Sequence, residues 1–594
     1  MVRMWSLCQR PALIAAALAS LAAAPPPKPA VPLDGGWPRD VQTSAGTATV
    51  YQPQLDSWDG HRLSVYAAIA LKEKPDSAPV FGVLWADGAT LVDKETRLVT
   101  FHDSTVRRVS FPSQPARDGA VLAAFQKEAP PVTKTLALDR LTAMLKVAEA
   151  DKVIQSLELE HAPPRIVFSK TPAILVYVDG EPAWRPVKGT SLERVLNTRV
   201  LLVRDARGRH FLHVFDGWMA ATGLAGPWTV EKAPPPELEK AVADAKASGQ
   251  VDLLPGGNPN DPQTLPSLKQ GPAPAVVVAT RPTELVVTDG EPNYVMIQDT
   301  ELLYVQNTTG NVFRHLGDQK LYVLASGRWF RAVSQDGPWE YVANDALPPD
   351  FARIPDTSAK ENVKASVAGT AQAKEALVSN MIPQTAEVKI ADAKIDPPRY
   401  DGDPKFVPVP GTTLLYAVNT ALPVIQVSPT SYYAVENAVW FAAPSPLGPW
   451  AVATSVPTVI YTIPPSSPVH YVTYVRVYQV TPTVVYVGYT PGYYGSCVSH
   501  GVVVYGTGYV YPPYVGTTVW YGAPVTYGFG VAVTYTPWTG WVYGFGFGWS
   551  WGGRVRPGPC QRLRPGLPQR RRRPAHRRCG AADPAAGRPA LAIR

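Results

Sequence analysis

Short runs of β-branched and aromatic residues, broken every few positions by Gly, Pro, Asp or Ser, set the pattern after a Pro-rich opening. The runs are Thr47–Tyr51, Leu63–Ala70, Val80–Trp85, Arg97–Phe101 and Arg107–Phe111. Trp58-Asp59-Gly60 and Ala86-Asp87-Gly88 punctuate them. Runs of this length with turn signals between them predict a small antiparallel sandwich or barrel over residues 37–130. From Leu136 to Ser156 the period changes. Leu138, Leu141 and Leu145 fall at i, i+3 and i+7, one stripe of a helix, which predicts a helical linker over 131–165.

One pattern then recurs three times: Trp, apolar, any residue, Ala, four residues, Gly-Pro-Trp. It starts at Trp218, Trp329 and Trp440 and ends at Trp228, Trp339 and Trp450, with the final Trp residues 111 apart each time. A period of this length is a domain-sized unit, not a solenoid rung. Upstream, Asp179-Gly180-Glu181-Pro182, Asp289-Gly290-Glu291-Pro292 and Asp401-Gly402-Asp403-Pro404 match, and Asp-Gly between β-type runs signals a hairpin. Asn197-Thr198, Asn307-Thr308 and Asn419-Thr420 match as well, followed by a shared aromatic at Phe211, Tyr322 and Tyr433. Each repeat reads as three hairpin-like pairs. The repeats span 166–254, 275–385 and 386–459, with a linker over 255–274. Helices join them at Pro236–Ala247 and Asp356–Met381, the second with Val363, Val367, Leu377 and Met381 as its apolar face. The predicted fold is mainly β: tandem small antiparallel β domains joined by helices, with a Tyr/Gly-rich β region at 460–553.

That last region carries Arg476 as its sole Lys, Arg, Asp or Glu before 554. Trp541, Tyr543, Phe545, Phe547, Trp549 and Trp551 alternate with small residues, so a strand would place all six rings on one side. Such a face is covered by another sheet, by an outer membrane, by a glycan or by a second copy of itself. The tail from 554 to 594 is Arg/Pro-rich and without apolar period, which predicts disorder. Its abrupt change of composition fits either an anion-binding tail or a shifted reading frame.

Composition narrows the compartment and the partners. The chain has 594 residues, of which 18% are charged, and it is rich in Pro and Gly. These values suit an extracellular β protein. Arg3 and Arg10 precede a short apolar run over 12–23, which is followed by Pro25-Pro26-Pro27. This predicts a signal peptide at 1–24, then a Pro-rich linker at 25–36, and export to the periplasm, outer-membrane surface or medium. Of the net charge of +8, the tail supplies +11 (12 Arg against Asp583), which leaves −3 for the rest. The body therefore carries no electrostatic case for nucleic acid. Of four cysteines only Cys497 lies between the leader and the tail, so no disulfide framework is expected.

Catalytic spacing is sparse. No zincin helix, phosphate loop or nucleophile elbow is present. His210 and His213 flank Phe211 in a predicted strand, where they point to opposite faces. Cys497 and His500 stand three apart, with no acid nearby in sequence to complete a triad. The carboxylates of the acidic turns suit a structural role better than acid/base work. Neither a cofactor nor a metal is predicted, and no residue is assigned to catalysis.

The aromatics remain. Trp218, Trp228, Trp329, Trp339, Trp440 and Trp450, with Tyr322 and Tyr433, are candidate ligand-binding residues, because sugar C–H groups stack on such rings. Three weak sites on one chain would add up through multivalency. The competing reading makes the indoles core anchors of small domains.

The order Tyr432-Tyr433, turn, Trp440-x-x-Ala443, Gly448-Pro449-Trp450 resembles the short chitin- and cellulose-binding modules of carbohydrate-binding families five and twelve. Over its length the chain resembles uncharacterised exported proteins of Gram-negative bacteria, through Val50-Tyr51-Gln52-Pro53-Gln54 and Gly327-Arg328-Trp329. The resemblance implies an envelope protein that binds polysaccharide and is not an enzyme. Two alternatives stay open: a structural or assembly protein acting through 541–551, and a hydrolase without a recognisable motif.

Overall fold

The computed structural model describes residues 37–545, apart from 78, 131, 156, 250, 257–265, 309, 525, 528–530 and 537–539. The predicted leader, the Pro-rich linker at 25–36 and the tail lie outside the described residues, as do Phe547, Trp549, Trp551 and the side chains of 541–545. The described fold is mainly β, with many antiparallel sheets and few helices.

The first sheet contains β1 (Arg39–Thr43), β2 (Gly46–Val50), β3 (Gln54–Trp58), β4 (Arg62–Lys72), β5 (Val80–Asp93), β6 (Leu98–Ser110) and β7 (Lys134–Ala137). Its order is β1-β2-β4-β5-β6-β7, with β3 also paired to β4. Helix α1 (Asp118–Glu128) and helix α2 (Leu138–Gln155) pack on it. The predicted stripe is real: Leu141 is fully buried against Leu55, Leu63, Val99 and Phe101, with Leu138 and Leu145 beside it. Two expectations change here. Asp87-Gly88 is not a turn but lies in the middle of β5, where the register with β6 slips between Asp87 and Ala89. A Cβ at Gly88 would meet the Phe101 ring at 2.3 Å, so Gly is there for a close approach rather than a bend. The runs at 97–101 and 107–111 likewise belong to one long strand, β6.

Three six-stranded antiparallel sheets follow, each with its strands in sequence order. The first runs Trp184–Pro186, Glu193–Val195, Leu202–Arg204, His210–Val214, Gly217–Ala221 and Thr229–Val230. The second runs Tyr294–Met296, Leu302–Val305, Asn311–His315, Leu321–Ala325, Arg328–Ala332 and Glu340–Val342. The third runs Phe406–Pro408, Leu415–Ala417, Val424–Ser428, Ser431–Glu436, Val439–Ala443 and Ala451–Val452.

The acidic turns are not hairpins. The strand before the first of them, Ala173–Tyr177, pairs in parallel with Ala275–Ala279 from the next repeat, and Arg165–Ser169 pairs in parallel with Thr283–Val287. The first two repeats are thereby stitched to each other through strands outside their six-stranded sheets.

The helix expected over 356–381 is broken into a 3-10 segment, Glu361–Ser366, and an α-helix, Ala371–Asn380. Gly369 between them adopts φ +85°, and Thr370 caps the second piece by accepting the Ala373 N–H. The break has a packing cause. Val363 and Val367 pack with Trp329, whereas Val378 and Ile382 pack on Ala68, Phe81 and Val83 of the first sheet. One straight helix could not serve both cores.

Between 460 and 545 the chain forms 3-10 turns and short strand pairs. Val475–Val480 and Val484–Tyr489 make a hairpin that Gln384–Lys389 extends to three strands. Ser496–Ser499 pairs with Val502–Tyr505, and Tyr514–Val515 with Trp520–Tyr521.

Candidate functional site

Each six-stranded sheet sorts its two motif indoles onto different clusters. Trp218, Trp329 and Trp440 sit on the fifth strand with 3%, 0% and 0% of their surface exposed. In each case the chain that follows returns across them. Leu238, Ala241 and Ala245 of the helix Glu237–Ser248 cover Trp218. Phe351, Val363 and Val367 cover Trp329, and Ile460, Val469 and Val472 cover Trp440. The Trp329 Nε1 donates to the Ser366 carbonyl (2.8 Å) and the Trp440 Nε1 to that of Val475 (3.1 Å). Tyr322 is fully buried too, its hydroxyl donating to Asp318 Oδ2 at 2.6 Å. These four residues are core anchors and have no ring face to offer a ligand, which removes them from the expected platform. Tyr433 is half-buried and packs against the Trp440 cluster.

Trp228, Trp339 and Trp450 differ. Each follows a cis Gly–Pro peptide, is half-buried and belongs to a different cluster from the first indole. Each shares its cluster with an aromatic from the first strand of its own sheet: Trp184 with Trp228, Tyr294 with Trp339, Phe406 with Trp450. Those three partners were missed from sequence. Their signal was an aromatic five positions after the first Asp of the acidic turn. Trp450, Pro449 and Leu447, together with Lys394, Ile395 and Pro397, line an open cleft of about 240 Å3. Leu447 is 68% exposed there.

The acidic turns owe their shape to an Asn that comes later in the chain. Asn197 Nδ2 donates to the carbonyls of Asp179 (2.8 Å) and Glu181 (2.7 Å), and its Oδ1 accepts the Ala183 N–H (2.8 Å). Asn307 repeats this with Asp289, Glu291 and Asn293, and Asn419 with Asp401, Asp403 and Lys405. The Gly of each turn has φ between +75° and +83°, a conformation Gly adopts without strain. The carboxylates serve as anchors. Asp179 Oδ2 accepts the Trp520 indole N–H (3.2 Å) and the Ala523 N–H (3.3 Å), and burial raises its pKa. Asp401 Oδ2 accepts the Tyr514 hydroxyl (2.8 Å). The 514–523 segment is thus pinned to the turns of the first and third repeats, while Asp289 of the second is exposed.

The nucleophile candidates are held in unreactive states. Cys497 is buried, and burial pushes its thiol up to about 11, so it is protonated at neutral pH. His500 leans toward Asp345, with its Nδ1 3.5 Å from the carboxylate. A Ser–His contact does exist, between Ser499 Oγ and His161 Nε2 at 3.1 Å. The other ring nitrogen, Nδ1, accepts from Arg328 Nε at 3.0 Å. That donor puts the proton of the neutral ring on Nε2, so His161 cannot take the Ser499 proton. Arg328 is itself fully buried and also donates to the carbonyls of Tyr505 (2.6 Å) and Gly506 (2.8 Å). His210 lies against Trp184 and His213 against Trp218, on opposite sides of their strand. Among the described residues no grouping of His, Cys, Asp and Glu could hold a metal ion.

No protein-family model, curated protein or solved structure matches this chain.

Proposed function

We propose that this protein is a non-catalytic binding protein of the cell envelope, exported by its N-terminal leader, that holds polysaccharide weakly at several points. The observation that carries this reading is that all three six-stranded sheets keep two half-buried aromatics on one cluster: Trp184 and Trp228, Tyr294 and Trp339, Phe406 and Trp450. Partly exposed rings stack on the C–H faces of sugars, while polar neighbours take the hydroxyls. One such contact is weak, and three on one chain raise retention on a polymer that presents many copies of the same sugar. At Trp450 the surface forms an open cleft, with Lys394 as a polar group in its lining. The hydrolase reading has less support, since Cys497 is protonated and His161 carries its proton on the wrong nitrogen for a base.

The test is retention on chitin, cellulose and purified peptidoglycan. A variant with Trp228→Ala, Trp339→Ala and Trp450→Ala should lose retention on the polymer that holds the parent, with its circular dichroism unchanged. Retention equal to the parent's would end the glycan reading. Trp329→Ala serves as the contrast, because removing a fully buried indole costs about 3–5 kcal/mol and should cripple folding first.

A further inference from the structure

We propose that the N-terminal sheet encloses a binding site for a single-chain amphiphile, a molecule with one long acyl or alkyl chain and a polar head. The basis is a cavity of about 600 Å3 between this sheet, helices α1 and α2, and Glu387, Tyr478, Gln479 and Tyr486 of the three-stranded sheet. Native cores leave few voids larger than a water molecule. This one matches the liquid volume of about 20 waters and falls within the usual size range of small-molecule sites.

The cavity follows from the choice of residues on two neighbouring strands. Leu63, Val65 and Ala67 alternate along β4 and so share a face. Val65 stands opposite Ala86 of β5, and Ala67 opposite Leu84. In each pair a large side chain meets a small one, and both Ala residues line the open space. Phe125 of α1 and Met144 of α2 close it from the helical side. The apolar core of this region is therefore split. One cluster gathers around Ala67, Leu84 and Phe125, the other around Leu63, Phe101 and Leu141, with the cavity between them. An apolar chain lying along these walls would join the two clusters into one core, with Gln52, Tyr478 and Gln479 as polar groups beside it.

The polar end of the ligand is set by the rim. The cavity reaches the surface at exposed Gln42, Thr105 and Gln126, beside Val132, which is 42% exposed. Charges of both signs line it, Arg39 and Lys134 against Asp40, Glu128 and Glu387. A mixed rim selects for a polar head without selecting its charge. The chain length is then what the site recognises, and a free fatty acid and a lysophospholipid of equal chain should bind alike.

This site is independent of the aromatic pairs, and its test separates the two. Delipidated full-length protein is titrated with the apolar fluorophore 1-N-phenylnaphthylamine, then with competitors. Saturable binding of one probe per chain is expected, displaced equally by hexadecanoic acid and hexadecanoyl lysophosphatidylcholine but not by hexanoic acid. Ala67→Phe and Ala86→Phe fill the cavity and should weaken probe binding at least about tenfold, with circular dichroism unchanged. The variant lacking Trp228, Trp339 and Trp450 should bind the probe as the parent does. A second measurement does not depend on the filled variants folding. Trp37 lines the cavity, so a brominated hexadecanoic acid should quench fluorescence in the parent and lose that component in Trp37→Phe. Non-saturable probe binding, unchanged affinity in folded cavity-filled variants, or quenching indifferent to Trp37 would each overturn the proposal. Displacement by only one of the two head groups would overturn the claim that chain length alone is recognised.

Discussion

The Tyr400 hydroxyl donates to the Pro446 carbonyl at 3.1 Å and so occupies the acceptor that stands four residues before Trp450. In the other two sheets the equivalent carbonyl serves the indole itself. Trp228 Nε1 donates to Leu224 (3.2 Å) and Trp339 Nε1 to Gln335 (3.4 Å). The Trp450 Nε1 is buried without a partner. A buried donor left unmade costs about 1–3 kcal/mol; although a carbonyl can accept two hydrogen bonds, the Tyr400 hydroxyl stands on the oxygen that the other two sheets give to the indole.

Tyr400→Phe should release that carbonyl to the indole. Loss of the hydroxyl bond and gain of the indole bond nearly cancel, so the change in unfolding free energy should stay within about 1 kcal/mol. The Trp450 indole proton should exchange with solvent more slowly in the variant. A loss of stability well beyond that range, with unchanged exchange, would show that the two residues do not compete.

The three Asn residues that close the acidic turns make the same bonds in different surroundings. Asn197 and Asn419 are 0% exposed, whereas the bonds of Asn307 lie near solvent. Removing a buried Asn leaves two carbonyls and one N–H of the turn without their partner. Asn197→Ala and Asn419→Ala should each cost about 2–4 kcal/mol. Asn307→Ala should cost less, because water can replace its side chain. Urea unfolding of the three variants checks the order, and an equal or larger loss at Asn307 would refute it.

His161 gives a pH dependence with a definite sign. Burial first, then the Arg328 guanidinium and His500, push its pKa down to about 4. The unfolded chain, with an ordinary histidine near 6.5, binds the proton more readily than the folded one. Its contribution to stability is therefore complete above about pH 6.5 and is lost as pH falls toward about 4. His210 and His213, both partly buried, and the buried His470 are shifted the same way, each first by desolvation.

At His470 the shift is opposed by the bond to the Ile463 carbonyl. The test is thus a difference, the urea midpoint of the parent minus that of His161→Gln as a function of pH. Gln can still accept from Arg328 and donate to Ser499. The difference should be flat above about pH 7 and fall below it. A difference that rises on acidification would refute the assigned protonation.

Cys497 should be silent toward thiol reagents in the folded protein, because burial holds its thiol up at about 11 and shields it. In a variant with Cys8, Cys560 and Cys579 changed to Ser, Ellman's reagent at about pH 8 should label Cys497 only once denaturant is added. Prompt labelling without denaturant would return Cys497 to the candidate nucleophiles.

Much of this architecture was legible because its signals are local. The strand runs, the stripe at Leu138, Leu141 and Leu145, and the evenly spaced Trp motifs depend on residues a few positions apart, where alternation and turn chemistry act directly. The helix over 356–381 was misjudged for the complementary reason. Its composition suits a helix, but Val363 and Val378 pack on different cores, and that conflict lies outside the segment.

What the chain determined by itself is the mainly β class, the 111-residue spacing of the Trp motifs and the shared turn and indole positions, since each rests on short-range preference. What only the tertiary structure decided is which indole is sealed and which keeps an open edge. It also decided that Ala173–Tyr177 pairs across repeats, and that small residues at 67 and 86 leave a hollow. A strand's alternation says which side chains share a face, but not what will lie against that face. That is settled by the returning segments around Trp218, Trp329 and Trp440, and by the helices that close over the N-terminal sheet without filling it.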